Sequence, residues 1–117
     1  MKAKFQLFKS TKKNQFYFRL LATNNQIILA SEGYATKANG KNGITSVKVH
    51  SPHDNFYQRL NASNRQYYFT LTAANNQVIG VSELYVSTKG RENGIASVKQ
   101  NAQTAGIEDL TVEYAGA

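Results

Sequence analysis

The hydrophobic positions of this chain change their spacing along the sequence, and they do so twice in the same order. In FYFRLLA, residues 16–22, Phe16, Phe18, Leu20 and Ala22 alternate with Tyr17, Arg19 and Leu21, the two-residue period of a strand. YYFTLTA at 67–73 does the same. Each run leads into an Asn-Asn pair and a second apolar segment, TNNQIILAS and AANNQVIGVS, which predicts a hairpin. With Asn25 and Asn76 in the left-handed conformation of a three-residue loop, Leu20 is expected opposite Ile28 and Phe18 opposite Ala30. A two-residue turn would instead set Leu20 against Leu29.

After Tyr34 and Tyr85 the period lengthens. Thr36 and Ser87 are placed to cap helices whose apolar stripes are Ile44 and Val47 in one case and Ile95, Val98 and Ala102 in the other. The first helix should stop before Pro52 and the second near Gly106. Gly43 and Gly94 lie beside the stripes although glycine costs a helix about 1 kcal/mol relative to alanine, which predicts close packing of the helix backbone on a neighbouring strand. AKFQLF at 3–8 and FYQRL at 56–60 alternate ahead of the two hairpins, and EDLTVEY at 108–114 is expected to close the chain as a strand with Leu110, Val112 and Tyr114 on one face.

The two series are copies. Shifting the chain against itself by 51 positions aligns residues 15–48 with 66–99 without a gap, and 18 of those 34 pairs are identical. Two copies of about 50 residues suggest a pseudo-twofold unit rather than a solenoid. Neither copy is large enough for a comfortable core, so the expected fold is α+β: two tandem β-β-β-α repeats, with a further strand after the second helix, forming one continuous antiparallel-rich sheet with two helices packed on one face. Residues 1–117 would then be a single pseudo-twofold domain, with repeat 1 at about 3–55 and repeat 2 at about 56–114.

The motifs ATNNQII, SEGY and NGITSVK, followed by AANNQVI, SELY and NGIASVK, resemble those of the YegP-like proteins, small bacterial domains of unknown function that occur singly, as dimers or as tandem repeats. The resemblance spans nearly the whole chain. It implies β3-α-β units paired into one sheet with exchanged C-terminal strands, and it implies no activity. The chain departs from the pattern in its turns, where Asn25 and Asn76 stand in place of a frequent glycine.

Composition narrows the chemistry. The absence of cysteine removes disulfides, thiolate nucleophiles and cysteine-ligated metals. No stretch approaches the roughly 20 apolar residues of a membrane-spanning helix, and a cytoplasmic monomer with an internal pseudo-dimer is the expectation. The net charge of +7 is uneven: residues 1–50 carry nine basic side chains against Glu32 alone, residues 51–117 five against six acids. Such a field serves solubility or attracts nucleic acid or another polyanion. His50 and His53, in HSPHD, have no third firm ligand beside them and read as solvated loop histidines, so neither metal nor cofactor is implied.

The most chemical-looking matched residues are Glu32 and Glu83, each two before a tyrosine, Tyr34 and Tyr85. Brought together they could flank a substrate. Held apart, they would end their strands by accepting bonds from the turn or pairing with lysine, while the tyrosines cover the core edge. No enzyme motif is present, and a non-enzymatic binding or structural module is expected. A sharper possibility is the sheet face left bare by the helices. Alternation places Phe8, Tyr17, Arg19, Tyr57, Arg59 and Tyr68 there, a set of aromatic and basic groups suited to stacking single-stranded nucleic acid. The same patch could instead join the protein to a protein or peptide partner.

Overall fold

A computed structural model describes residues 2–111. Strands β1 (Lys4–Ser10), β2 (Gln15–Leu21) and β3 (Ile27–Ala30) are followed by helix α1 (Lys37–His50). After a short 3₁₀ turn, strands β4 (Tyr57–Asn61), β5 (Tyr67–Thr72) and β6 (Val78–Val81) lead to α2 (Thr88–Asn101) and a last strand, β7 (Gly106–Asp109). The strands form one sheet in the order β4-β5-β6-β3-β2-β1-β7. Only the β1–β7 pairing is parallel, so the strand that follows repeat 2 docks on the outer strand of repeat 1.

The local structure follows from a few side chains used twice. Thr36 and Ser87 are the helix N-caps, their hydroxyls accepting from the N–H groups of Asn39 and Gly90. Asn25 and Asn76 adopt φ of 65° and 69° in three-residue loops, and the preceding Asn24 and Asn75 accept from Gln26 and Gln77 N–H. Ser31 and Ser82 end the hairpins: each hydroxyl accepts from a strand N–H, that of Phe18 or Phe69, at 2.9 Å. Tyr34 and Tyr85 then bond back to Phe16 and Tyr67 and lie flat on Phe18 and Phe69.

Three expectations need correction. In the first hairpin Leu20 faces Leu29, not Ile28, and Ala30 faces Arg19, not Phe18, because Ile28 is an extra, bulged residue just beyond the loop. Ile79 plays the same part in the second hairpin. The close neighbours of Gly43 are side chains rather than strand backbone: a methyl there would sit 2.5 Å from the Tyr34 hydroxyl and 2.8 Å from the Phe18 ring. The final strand ends at Asp109, leaving Leu110 exposed beyond it, and Val112 and Tyr114 lie outside the described residues.

Both helices cover one face of the sheet, and the buried residues of both repeats form one apolar cluster. α1 reaches beyond β1 and β2 to β5 and β6, and α2 packs on β3 as well as β5. β3 and β6 meet at a single registered pair, Ala30 and Val81. Beside it, on the core side, lie Leu29 and Gly80, equivalent positions of the two repeats. Leu29 is fully buried, and a methyl on Gly80 would be 2.5 Å from its Cγ. One leucine occupies a space that two symmetric leucines could not share.

Gly80→Ala should therefore cost about 1–3 kcal/mol in urea unfolding, as overpacked cores do, and Leu29→Ala about 2–5 kcal/mol. Combined, the two changes should cost clearly less than their sum, because removing Leu29 vacates the room the new methyl needs. A second prediction comes from the ion pairs. Asp54 accepts from Arg59 and Lys99 and is held down at about 2, and Asp109, paired with Lys37 and bonded to Thr111, is also held at about 2. A carboxyl depressed in the folded state adds stability that is complete above its unfolded value near 4 and is lost as pH falls toward 2. Thermal unfolding of Asp54→Asn/Asp109→Asn should show a smaller drop in midpoint between pH 4 and pH 2 than the parent.

Candidate functional site

The bare face of the sheet is organised around one transverse row. Pairing places Glu108, Gln6, Arg19, Ala30, Val81, Thr70 and Gln58 side by side across all seven strands. Hydrogen bonds run along both ends of it: Arg19 Nε donates to Gln6 Oε1 at 2.7 Å, Gln6 Nε2 to Glu108 Oε1 at 2.8 Å, and Thr70 Oγ1 to Gln58 Oε1 at 3.0 Å. Next to the row in repeat 1, Phe8 and Tyr17 are cross-strand neighbours with ring centroids 5.8 Å apart and near-parallel planes. The Arg19 guanidinium lies 4.8 Å above Phe8. Phe8, Tyr17 and Arg19 are thus brought together as a small platform, and Tyr68 occupies the position equivalent to Tyr17 in repeat 2.

Tyr57 and Arg59 do not join them. Tyr57 pairs with Leu71 and is buried on the helix side, where its hydroxyl donates to Ser51 O at 2.7 Å and burial, with a smaller effect of Asp54, raises its pKa. Arg59 is on that side too, held by Asp54 and Glu92. The reason is one residue. Phe5 faces Leu20 whereas Tyr57 faces Leu71, so the loop from β4 to β5 is one residue shorter than that from β1 to β2. In a two-residue period such a difference exchanges the faces of every β4 side chain. The gapless 51-residue shift covers 15–48 and holds no information about this loop.

Charge divides the surface further. Among the described residues, Asp54, Glu92, Glu108 and Asp109 are all in ion pairs. Lys9, Lys12 and Lys13, on the β1–β2 hairpin, have no such partner there; Lys9 instead lies 5.5 Å from the Phe16 ring centroid. The first hairpin is therefore a cationic corner with an aromatic platform beside it.

Glu32 and Glu83 are the other two described carboxylates, and no ion pair or side-chain hydrogen bond engages either among the described residues. They line separate clefts. Past Ala30 and Val81 the strands β3 and β6 part, because Ser31 and Ser82 turn toward their own hairpins. One opening, of 380 Å³, lies between Glu32, Gly33 and Tyr34 of repeat 1 and Gln77, Val78 and Ile79 of repeat 2. Its counterpart, of 470 Å³, lies between Glu83, Leu84 and Tyr85 and residues 25–28. Each tyrosine has its pKa raised by burial and then by its neighbouring glutamate, Glu32 for Tyr34 and Glu83 for Tyr85. The walls of each cleft come from both repeats, which the spacing of residues within one repeat could not reveal.

His50 is not a solvated loop residue. It ends α1, its Nδ1 lies 2.8 Å from Ser46 O, and its Nε2 accepts from Ala74 N–H at 3.1 Å, tying the helix to the β5–β6 turn of the other repeat. His53 is exposed in the loop that follows.

Comparison with known proteins agrees with this architecture. The family model described as Domain of unknown function (DUF1508) matches twice, at residues 12–58 and 62–109. A UPF0339 protein of Bordetella pertussis is 52% identical over 97 residues, 83% of this chain and 87% of that protein. UPF0339 protein YegP of Shigella flexneri is 47% identical over 107 residues, 92% of this chain and 96% of the relative. The solution NMR structure of UPF0339 protein SO3888 from Shewanella oneidensis superposes with a TM-score of 0.90 at 46% identity, covering 97% of this chain and 96% of that one. A doubled motif, a doubled β3-α unit in one sheet and these similarities together place the chain in the DUF1508 family, whose function is unknown.

Proposed function

We propose that the chain is a non-enzymatic binding module, that residues 1–117 act in the cytoplasm as one monomeric pseudo-twofold unit, and that its principal surface is the β1–β2 hairpin, which binds single-stranded nucleic acid. The observation that carries this reading is the sorting of charge: four of the six described carboxylates are in ion pairs, while Lys12 and Lys13, in the hairpin loop next to Phe8, Tyr17 and Arg19, stay unpaired among the described residues; Lys9 lies over Phe16 on the helix-covered face. Lysines at the hairpin loop meet phosphates, and the half-buried Tyr17 ring with its Phe8 and Arg19 neighbours offers stacking surface to a base, a combination indifferent to sequence. The non-enzymatic part is supported by the division of Glu32 and Glu83 between two clefts, which takes away the carboxylate pair an acid–base mechanism would use.

The test is a fluorescence anisotropy titration with labelled oligo(dT) and oligo(U). Two phosphate contacts on a single strand, from Lys12 and Lys13, predict a loss of affinity of about sevenfold between 50 and 200 mM salt. Tyr17→Ala should weaken binding by at least about fivefold, the lower end of one stacked base, and Lys12→Glu/Lys13→Glu should lessen the salt dependence. Tyr68→Ala, remote from the cationic corner, should do less. No binding at 50 mM salt, or a Tyr17→Ala variant that binds as the parent does, overturns the reading.

A further inference from the structure

Most residues common to the two repeats have a visible structural task. Ser31 and Ser82 close the hairpins, Tyr34 and Tyr85 roof the core, and Gly43 and Gly94 make room for those rings. Lys48 and Lys99 lie within 5.9 Å and 5.5 Å of the Phe5 and Tyr57 ring centroids. Glu32 and Glu83 are different. They are repeated, yet nothing among the described residues engages either carboxylate, in a chain with twice as many basic as acidic side chains.

The surroundings of each carboxylate are matched as well. Opposite Glu32 stand Gln77, Val78 and Ile79; opposite Glu83 stand Gln26, Ile27 and Ile28. The clefts, at 380 and 470 Å³, fall in the range of small-molecule sites. The Glu32 cleft also adjoins a third recess of 310 Å³, which shares Tyr34, Gln77 and Ile79 with it and adds Asn39, Asn42 and Asn75. An unpaired negative charge, carboxamide oxygens and an aliphatic wall suit a ligand with several N–H donors, a positive charge and a methylene chain.

We propose that the two clefts between the repeats are binding sites for free linear polyamines, with Glu32 and Glu83 as the counter-ions of one ammonium group each. In the repeat 1 cleft, a second ammonium group would reach the carboxamides of Asn39, Asn42 and Asn75. The clefts differ in one wall. Leu84, 54% exposed, stands where repeat 1 has Gly33, so the Glu83 cleft offers more apolar surface to a long aliphatic arm. This assignment does not depend on nucleic-acid binding and is tested without nucleic acid.

The experiment is a titration of the ¹⁵N-labelled full chain with spermidine at constant ionic strength, following backbone amide shifts. The expected result is two saturable sets, one at residues 32–34 and 77–79, the other at 25–28 and 83–85. Glu32→Gln should weaken the first set at least tenfold and leave the second, and Glu83→Gln the reverse. Since no described residue engages either carboxylate, both variants should unfold thermally within a degree or two of the parent, which separates lost binding from lost structure. n-Hexylamine should bind the Glu83 cleft more tightly than n-butylamine, by up to about fourfold per added methylene, and this preference should fall in Leu84→Gly to that of the Glu32 cleft. The proposal is overturned if the shifts are reproduced by sodium chloride, if they survive both glutamine substitutions, or if a lysine-containing peptide produces them and spermidine does not.

Discussion

Two copies of one motif can share a sheet only if the residues nearest their symmetry axis tolerate meeting their own equivalents. Here the axis passes beside Ala30 and Val81, and the equivalent core positions next to them are Leu29 and Gly80. A leucine at both would put two branched side chains in one volume, and a close-packed interior has no slack for that. The asymmetric pair lets β3 and β6 join, so that α1 extends over β5 and β6 and α2 over β3. The single apolar cluster and the docking of β7 on β1 both rest on that junction.

The junction also shapes the surface. Because β3 and β6 pair at one position only and Ser31 and Ser82 draw the chain back to its own hairpin, the strands separate on both sides of the axis. A symmetric framework thus produces two clefts in which one repeat supplies the glutamate and the other the opposing wall. On this framework the repeats have diverged in charge: Lys9, Lys12 and Lys13 of the first hairpin have no ion-pair partner among the described residues, while Asp54, Glu92, Arg59, Arg91 and Lys99 form a network.

Much of the fold was legible because its determinants are local and duplicated. The helix caps Thr36 and Ser87, the left-handed Asn25 and Asn76, and the stripes Ile44–Val47 and Ile95–Val98 each act within a few residues and recur at one spacing. What escaped depends on counting residues across a pairing. A bulge at Ile28 moves Leu20 onto Leu29, and a loop one residue shorter sends Tyr57 and Arg59 to the covered face. Neither event has a strong sequence signature. For the site, Glu32, Tyr34, Glu83 and Tyr85 stood out by repetition, but their opposing walls, Gln77–Ile79 and residues 25–28, belong to the other repeat and emerge only once the sheet is assembled. The role of His50 is hidden in the sequence for the same reason, since its partner, Ala74 N–H, lies 24 residues away across the junction.

The central claim is that the repeats share one interior and cannot unfold separately. Residue-resolved urea unfolding of the ¹⁵N-labelled chain tests it most directly, with Phe18 and Ile44 reporting on one repeat and Phe69 and Ile95 on the other. A common core predicts the same midpoint and the same slope for all four amides. Two transitions, with one repeat retaining native signals after the other has lost them, would contradict it.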